Sequence, residues 1–312
     1  MELRPLLDVD LREALAPINR AARGEFLPAL RTVAQLRERA SCGVLDLKLS
    51  RGCWVGGALG ASCLVDHLAD EPVAHIEALA SEPLAGQRGA VRALIEAVQT
   101  ATAAAGVTDL SMLVSELDSS LGAVLQAVGF SRRQGVERYL LSGAPAALAL
   151  PTEIDASTAP GASGSYARPT TLAAVQALLA TAGASLYGQR PSVLHNLSPR
   201  LSVWELITVN GPEATVTPQA AVVFDRERKS LCALGGETAQ LAALIALVAT
   251  RHGVAYLDAL VDSDPAGAAL RLAGFARMAL RAELSCDPRQ AVAERQRATA
   301  ESGGGTGRKG SE

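Results

Sequence analysis

The sequence is poor in aromatic residues and contains no paired cysteine motif. Phe, Trp and Tyr account for 3% of the 312 residues, so the hydrophobic cores must consist mainly of Ala, Leu and Val. The five cysteines are odd in number and widely spaced, and no two of them form a CxxC pair. This distribution is typical of reduced thiols in a cytoplasmic protein and argues against a zinc site. We therefore expect a cytoplasmic protein that holds no metal.

Long apolar runs and a strong excess of one charge are also missing. Every apolar run ends well short of the ~20 residues that a membrane-spanning helix needs. The N-terminal segment is charged from its second residue, which is not typical of a signal peptide. The net charge is −3 and the two signs are interspersed, whereas a nucleic-acid binder usually presents a basic face. We expect neither a membrane nor a nucleic acid as a partner.

What the sequence does contain is a segment that occurs twice, at 106–140 and at 253–284. Each copy reads as an apolar strand opened by Gly-Val, a short helix of small residues, a Gly-Phe corner and a second strand. The corners are Gly129-Phe130 and Gly274-Phe275. The helix before each copy matches as well, and solenoid repeats are far shorter than this interval. The pattern indicates a duplicated domain.

Composition suggests where the domains end. Residues 144–165 are rich in Ala, Pro, Ser and Gly and predict a linker. The chain is polar from Asp287 onward and ends in a glycine-rich stretch, which predicts a disordered tail over 287–312. We therefore predict domains at 1–143 and 166–286. Strands and helices are mixed in both, so each domain is expected to be α+β, layered around a central sheet.

One junction in the first half has the composition of an anion site. A strand predicted at 73–80 leads through a glycine-containing loop to a helix predicted at 89–105. A helix N-terminus presents unpaired N–H groups and the positive end of its dipole, and a glycine lets a ligand approach the backbone. Arg88 and Arg92 add positive charge, and arginine binds phosphate bidentately. An ordinary strand-to-helix turn with a capping glycine explains the same spacing, so both interpretations stay open.

This junction, the order of the elements and the Gly129-Phe130 corner resemble the GNAT superfamily of acyl-CoA N-acyltransferases. The opening ELRPLLDVDLREALAPIN is similar to the first strand and helix of that family. The family's phosphate loop reads R/Q-x-x-G-x-G/A. Here the central glycine is Gly89, while Gly86 stands where Arg or Gln is expected and Val91 replaces the last small residue.

The resemblance covers residues 1–141 well and 166–285 more weakly. It implies two tandem GNAT-like domains of the α+β class, each with a mostly antiparallel mixed central sheet flanked by helices. It also implies transfer of an acetyl group from acetyl-CoA, as co-substrate, to the amine of a small molecule or peptide. The amine would attack the thioester directly, with both substrates held in proximity.

The resemblance further implies where acetyl-CoA binds. The diphosphate is expected on the backbone N–H groups of residues 87–92, and the pantetheine arm beside residues 79–81, where the family's fourth strand splays from its fifth. The cofactor-binding residues predicted in this way are Leu79, Ala80, Ser81, Gln87, Arg88, Gly89, Ala90, Val91 and Arg92.

Two residues on the candidate fourth strand are the predicted catalytic groups. His75 and Glu77 are two positions apart, so they face the same side of a strand, and the family often places its general base there. Glu77 is the first candidate for that base and His75 the second. Polar residues on a partly exposed strand face would look the same in the sequence, so this alternative stays open.

The family's usual acid is a Tyr four residues before the Gly-Phe corner, and this chain has Leu125 at that position. The second copy has Leu270 there. Tyr139 and Ser115 are weak substitutes for the acid. Asp118 precedes the predicted helix that contains Leu125 and is predicted to be its N-cap.

The second half lacks the charges of the first. Its corresponding loop reads Gly235-Gly236-Glu237-Thr238, without arginine, and the acidic Glu237 would repel phosphate. We expect this half not to bind coenzyme A and to act structurally. The degenerate loop and Leu125 also support a rival function, a catalytically inactive GNAT-fold binding or scaffolding protein. The oligomeric state stays open, a homodimer included.

Overall fold

A computed structural model describes the chain except for residues 23–30, 82–86, 117, 147, 149–151, 154–163, 182–185, 211–214, 227, 253–255, 262–263 and 304–312. The chain forms two compact units. The first unit comprises Met1–Arg133 and Ala282–Glu312, and the second comprises Gln134–Arg281.

The elements of the first half, in chain order, are β1 (Glu2–Pro5), α1 (Leu11–Ala22), α2 (Val33–Ser41), β2 (Arg51–Val55), β3 (Ala58–His67), β4 (Val73–Ser81), α3 (Gln87–Ala104), β5 (Asp109–Ser115), α4 (Ser119–Ala127) and β6 (Ser131–Ser142). Those of the second half are β7 (Thr152–Glu153), β8 (Gly164–Pro169), α5 (Leu172–Thr181), α6 (Pro191–Asn196), β9 (Leu201–Asn210), β10 (Thr215–Asp225), β11 (Ser230–Gly236), α7 (Thr238–Arg251), β12 (Tyr256–Val261), α8 (Asp264–Leu272), β13 (Ala276–Cys286) and α9 (Pro288–Gly303).

The sheet of the first unit has the strand order β1-β2-β3-β4-β5, with β13 next to β5. The pairs from β1 to β4 are antiparallel, and β4 pairs with β5 in parallel. One face packs on α3 and α4 through a core that includes Ile95, Val98 and Leu125. The other face packs on α1 and α2 through Leu15, Leu36 and their neighbours. Helices on both faces bury most residues of the middle strands, and this explains the mainly apolar sequence of β3.

The sheet of the second unit has the order β6-β12-β11-β10-β9-β8-β7. Its strands pair antiparallel except for β11 with β12 and β7 with β8, which are parallel. Helix α7 supplies most of the apolar side chains that cover this sheet. The predicted α+β class, with a mostly antiparallel mixed sheet in each half, is confirmed.

The duplication is visible at the two Gly-Phe corners. Gly129 has a φ of +95° and Gly274 a φ of +94°, a conformation that favours glycine. The N–H of Phe130 donates to the carbonyl of Leu125 over 3.0 Å, and the N–H of Phe275 donates to the carbonyl of Leu270 over 2.9 Å. Each copy therefore turns from helix to strand by the same local mechanism.

The units do not follow the domain limits that we predicted from composition. The divisions fall inside β6 and β13, so most of β6 belongs to the second unit and residues 282–286 belong to the first. Leu284 and Cys286 are buried in the core beneath α3, and the side chain of Gln99 donates to the Cys286 sulfur over 3.4 Å. Of the predicted linker, Thr152–Glu153 forms β7, and most of the rest lies outside the described residues.

The segment that we expected to be a disordered tail contains a helix. Pro288–Gly303 form α9, which starts where the Asp287 carboxylate accepts a hydrogen bond from the N–H of Arg289. Ala291 is buried, and Arg295 donates to the side chain of Gln99 on α3 over 2.5 Å. Tertiary packing on α3 thus stabilises a helix whose polar composition resembled a tail.

One strand prediction in the first half is wrong. Residues 44–50 were expected to form a strand, but only Leu45 bridges to Asp66, and residues 47–49 form a turn because the Asp46 carboxylate accepts the N–H groups of Lys48 and Leu49. Residues 52–65 were expected to form a strand with a bend or hairpin at Gly56-Gly57, and they form a hairpin of β2 and β3. Its turn has Gly56 and Gly57 at φ values of +61° and +85°, as a tight two-residue hairpin turn requires.

Candidate active site

β4 contains a β-bulge at Glu77. Leu64 of β3 pairs with Ala78, and the next residue, Val65, pairs with Ile76, so Glu77 is an additional residue on β4. A bulge bends its strand and disrupts the local ladder. Glu77 therefore occupies the point at which β4 changes direction.

The bulge also changes which face of the sheet the side chains of β4 occupy. Ala74 and Ile76 lie in the core beneath α3, whereas Ala78 and Ala80 lie in the core beneath α1 and α2. The side chain of His75, between Ala74 and Ile76, consequently faces α1 and α2. His75 and Glu77 are thus polar residues on this face of β4, and the three residues that follow them, 78–80, are apolar.

Pairing between β4 and β5 ends next to the bulge. The parallel ladder runs from Val73 with Asp109 to Ile76 with Met112. Both strands continue, β4 to Ser81 and β5 to Ser115, but no described residue pair joins them beyond that point. Residues 78–81 pair with β3 on one edge, and no strand among the described residues pairs with their other edge. An extended ligand can pair with such an edge through backbone hydrogen bonds.

The three strand residues predicted to bind the cofactor lie on this edge. Leu79, Ala80 and Ser81 pair with Cys63, Ser62 and Ala61 of β3, respectively. Their other edge faces the opening between β4 and β5. The pantetheine contact of these residues stays a prediction.

His75 is buried and held by β5. Its side chain is 9% exposed, and its Nδ1 lies 2.9 Å from the Oγ of Ser111, its register partner. Burial lowers the pKa of His75 to about 4, against a smaller opposing effect of Glu77. The imidazole is therefore neutral at pH 7 and is a weak proton acceptor there.

Glu77 forms an ion pair with Arg31, which precedes α2. The Nη2 of Arg31 lies 3.1 Å from Oε1 of Glu77, and the two side chains are 22% and 16% exposed. Asn19 of α1 fixes the backbone of Arg31, donating to its carbonyl and accepting from its N–H, both over 2.8 Å. A guanidinium at this distance favours the carboxylate form of Glu77, which is the form that a general base must have.

The helix that follows β4 is α3, and its first residues include the predicted phosphate loop. A Cβ added to Gly89 would meet no atom within 4 Å, so there is open space at this position. Ala90 and Val91 pack partly against the core beneath α3 and offer a ligand only their backbone. The side chain of Arg92 extends along the helix to Glu96, with Nε 2.9 Å from Oε1. Residues 82–86 and the side chains of Gln87 and Arg88 lie outside the described residues.

Leu125 occupies the acid position, and Tyr139 and Ser115 stay predicted substitutes for the acid. Leu125 is fully buried and apolar. Tyr139 belongs to the second unit, where its hydroxyl donates to Oε2 of Glu137 over 2.5 Å. Burial raises the pKa of Tyr139, and the Glu137 hydrogen bond adds to this effect. Ser115 ends β5, and Asp118 caps α4 as predicted, accepting the N–H of Leu121 over 3.0 Å.

The second unit repeats the opening between parallel strands. β11 and β12 pair at Ser230 with Asp258 and at Leu231 with Ala259, and β11 then continues to Gly236. A cavity of about 440 Å³ lies at the start of α7. Glu237 is the only charged residue among its described lining residues and makes no capping hydrogen bond. The electrostatics of this cavity disfavour a diphosphate.

The sequence analysis missed Asn19 and Arg31. They lie 12 positions apart, no sequence pattern marks either of them as a site residue, and Arg31 is 46 positions from Glu77. Only the spatial arrangement of α1, α2 and β4 brings them together. Among the described residues, no helix is long and apolar enough to cross a membrane, and no three His, Cys, Asp or Glu side chains are grouped to hold a metal ion.

The chain is similar in structure to several solved proteins. A tandem GNAT protein from the clavulanic acid biosynthesis pathway superposes with a TM-score of 0.63 at 16% identity, covering 92% of this chain and 98% of its own. A GCN5-related N-acetyltransferase from Sphaerobacter thermophilus gives a TM-score of 0.60 at 15% identity, covering 92% and 96%. A putative acetyltransferase from Pyrococcus horikoshii gives 0.58 at 8% identity, covering 92% and 89%.

No protein-family profile and no curated protein matches the sequence. The structural likeness spans both halves of the chain at low identity, so it establishes the fold. That fold is two GNAT domains in tandem, as the sequence resemblance predicted.

Proposed function

We propose that this chain, which has the tandem GNAT fold, is an N-acetyltransferase that moves an acetyl group from acetyl-CoA to a primary amine of a small molecule or peptide. The observation that supports it most is the bulge at Glu77. The bulge lies where the pairing of β4 with β5 ends, and it positions the Glu77 carboxylate at the opening between the two strands. Two of the similar solved proteins are named as acetyltransferases, which supports the reaction class.

In this proposal the edge of β4 and the start of α3 bind acetyl-CoA. The pantetheine arm pairs with the backbone of residues 79–81, which have no strand on that edge. The diphosphate accepts hydrogen bonds from the unpaired N–H groups of the first turn of α3, which begins at Gln87, whereas the N–H groups of Val91 and Arg92 already donate within the helix. The open space at Gly89 lets the phosphate oxygens come close to the helix backbone.

The chemistry requires little from the side chains. Glu77 accepts a proton from the ammonium or amine nitrogen, directly or through water. The nitrogen attacks the thioester carbonyl carbon, a backbone N–H of β4 stabilises the developing oxyanion, and the C–N bond forms as the C–S bond breaks. A thiol with an ordinary pKa near 8.5 leaves readily as thiolate, so Leu125 at the acid position does not stop the reaction. As the amide forms, the nitrogen loses a further proton, which water carries to the thiolate sulfur, and Glu77 releases the proton that it accepted to solvent.

The first test is binding. Calorimetric titration with acetyl-CoA, at concentrations well above Kd, should reveal one site per chain, and saturation should raise the free energy of unfolding by a few kcal/mol. Release of the coenzyme A thiol in the presence of a panel of amines then measures turnover. If millimolar acetyl-CoA gives neither heat nor a shift in stability, the proposal fails.

One observation favours a second function, a GNAT-fold binding or scaffolding protein without turnover. The acid position is a fully buried leucine in both copies, Leu125 and Leu270. Acetyl-CoA that binds but is not consumed with any amine would support this alternative. We assign the second unit a structural role, because its cavity carries Glu237 where a diphosphate would need positive charge. The five cysteines are all unbridged, which supports a cytoplasmic location.

A further inference from the structure

The first unit contains a cavity that is lined by three arginines. It has a volume of about 360 Å³ and lies between α1 and the start of α2, with Arg12, Arg20 and Arg31 among its lining residues. No acidic residue lines it among the residues that the structure describes. Three guanidinium groups line this cavity, and Arg31 among them is paired with Glu77, so the described residues leave a net positive charge there.

The arginines of α1 are arranged to face this cavity together. Arg12, Ala16 and Arg20 are spaced by four residues, so they lie on one face of the helix. Glu13, the acidic residue in the first turn of α1, points elsewhere, because it accepts a hydrogen bond from the Trp54 indole over 3.3 Å. The positive stripe on α1 is therefore not neutralised by that carboxylate.

The third arginine connects the cavity to the proposed general base. Arg31 lines the cavity and also contacts the carboxylate of Glu77 over 3.1 Å. Asn19, another lining residue, fixes the Arg31 backbone. A molecule whose anionic group binds in the cavity therefore lies beside Glu77 and the opening between β4 and β5.

The corresponding cavity of the second unit differs in charge. It has a volume of about 350 Å³, lies between α5 and α6, and is lined by residues that include Gln176, Ser192 and His195. None of its described lining residues is arginine or lysine. The positive charge is therefore a property of the first unit, which also carries the proposed site, and not a general consequence of the fold.

We infer that the acceptor amine carries an anionic group, a carboxylate in the first instance, and that Arg12, Arg20 and Arg31 bind it. Arginine pairs with carboxylate and phosphate in the same bidentate geometry, so a phosphonate is the second form of anion to test. The inference rests on the proposed function, because it assigns the substrate class of that site. It excludes simple alkylamines and polyamines as preferred acceptors.

The test compares each of the common amino acids with its carboxamide, and β-alanine with propylamine and 2-aminoethylphosphonate. An α-carboxamide has a more easily deprotonated amine than its parent acid, so a preference for the acid cannot come from amine reactivity. Binding is measured by calorimetry without acetyl-CoA, and turnover by thiol release. At least one anionic amine should bind and react roughly tenfold better than its neutral counterpart.

Arg12→Gln with Arg20→Gln should remove most of that preference for the anionic amine. Arg37→Gln is the matched control, because Arg37 is exposed on α2 and does not line the cavity. Circular dichroism and the unfolding midpoint verify that each variant is folded. The preference should also weaken as salt is added.

The outcomes separate the two proposals. Selective binding of an anionic amine that is lost in the double variant, without turnover, supports the inference and contradicts the proposed function. Turnover with equal preference for acid and amide supports the function and overturns the inference. The absence of any anion-selective binding in the whole panel also overturns the inference.

Discussion

The Nη2 of Arg31 donates to both the backbone carbonyl and the carboxylate of Glu77, each over 3.1 Å. One guanidinium thereby holds the bulged residue of β4 by main chain and side chain together. Asn19 holds Arg31 in turn. The geometry of the candidate base is thus set by residues from α1 and from the start of α2, far from it in sequence.

Glu77→Gln tests the base. The amide keeps the size of the side chain and still accepts a hydrogen bond from Arg31 but does not take up a proton at neutral pH. We expect kcat/KM at pH 7 to fall roughly 10²- to 10⁴-fold, with partial recovery at high pH, where the amine is already neutral. Acetyl-CoA affinity should not change. A pH–rate profile identical to that of the unmodified protein would remove Glu77 from this role.

Arg31→Met tests the support of that carboxylate. It removes the cation and leaves a largely buried Glu77 without this partner, so we expect a loss of about 1–3 kcal/mol in the free energy of unfolding. Urea denaturation measures it. The double variant Arg31→Met with Glu77→Gln should regain part of the loss, because no carboxylate is then left beside methionine. Additive effects of the two changes would show that the pair is not coupled.

The burial of His75 predicts a pH dependence of stability. Its pKa is about 4 in the folded chain against 6.5 as the ordinary value, so the unfolded chain binds more protons between these limits. The stabilisation by the neutral form is complete above pH 6.5 and is lost as the pH falls towards 4, to a total of about 3 kcal/mol. The difference in unfolding free energy between the unmodified protein and His75→Gln should therefore vary over this window.

His195→Gln is the control for that measurement, because His195 is exposed on α6. Its difference from the unmodified protein measures the effect of replacing an exposed histidine over the same pH range. Other titratable groups, such as Asp46 and His67, are common to all three proteins and cancel in the differences. A flat curve for His75→Gln would mean that folding does not lower the pKa of His75.

Gly89→Val tests the phosphate site. A Cβ at this position meets no protein atom within 4 Å, so the protein should fold with no loss of stability. The branched side chain then occupies the space over the start of α3, and we expect acetyl-CoA affinity to fall at least roughly tenfold. Gly122→Val on α4 is the matched control, since Gly122 is also helical and has equally open surroundings. Equal affinities of the two variants would place the diphosphate elsewhere.

The sequence was sufficient to predict the fold class and the duplication. The Gly-Phe corners at Gly129 and Gly274 are local structures, and the residues that form them are neighbours in the chain. The order of strands and helices around α3 and α7 follows from hydrophobic periodicity, which is also a local property. These features carry their own signal, so they could be predicted without coordinates.

The rest depends on contacts between distant residues. A bulge at Glu77 arises from the pairing of β4 with β3, and alternating residues on β4 give no sign of it. The ion pair of Glu77 with Arg31 and the packing of α9 on α3 join segments that no sequence pattern relates. The Asp46 turn was missed because apolar and polar residues alternate over 44–50 as in a strand, although the aspartate that forms the turn lies inside this segment.

The assignment of residues 282–286 to the first unit has a consequence for biosynthesis. Until the ribosome has added these last residues of β13, the edge of β5 lacks its neighbour, and the core beneath α3 lacks Leu284 and Cys286. The sheet and core of the first unit can therefore be completed only after nearly the whole chain has been translated. A gene fragment encoding only the first half would yield a nascent product with an open sheet edge, prone to self-association.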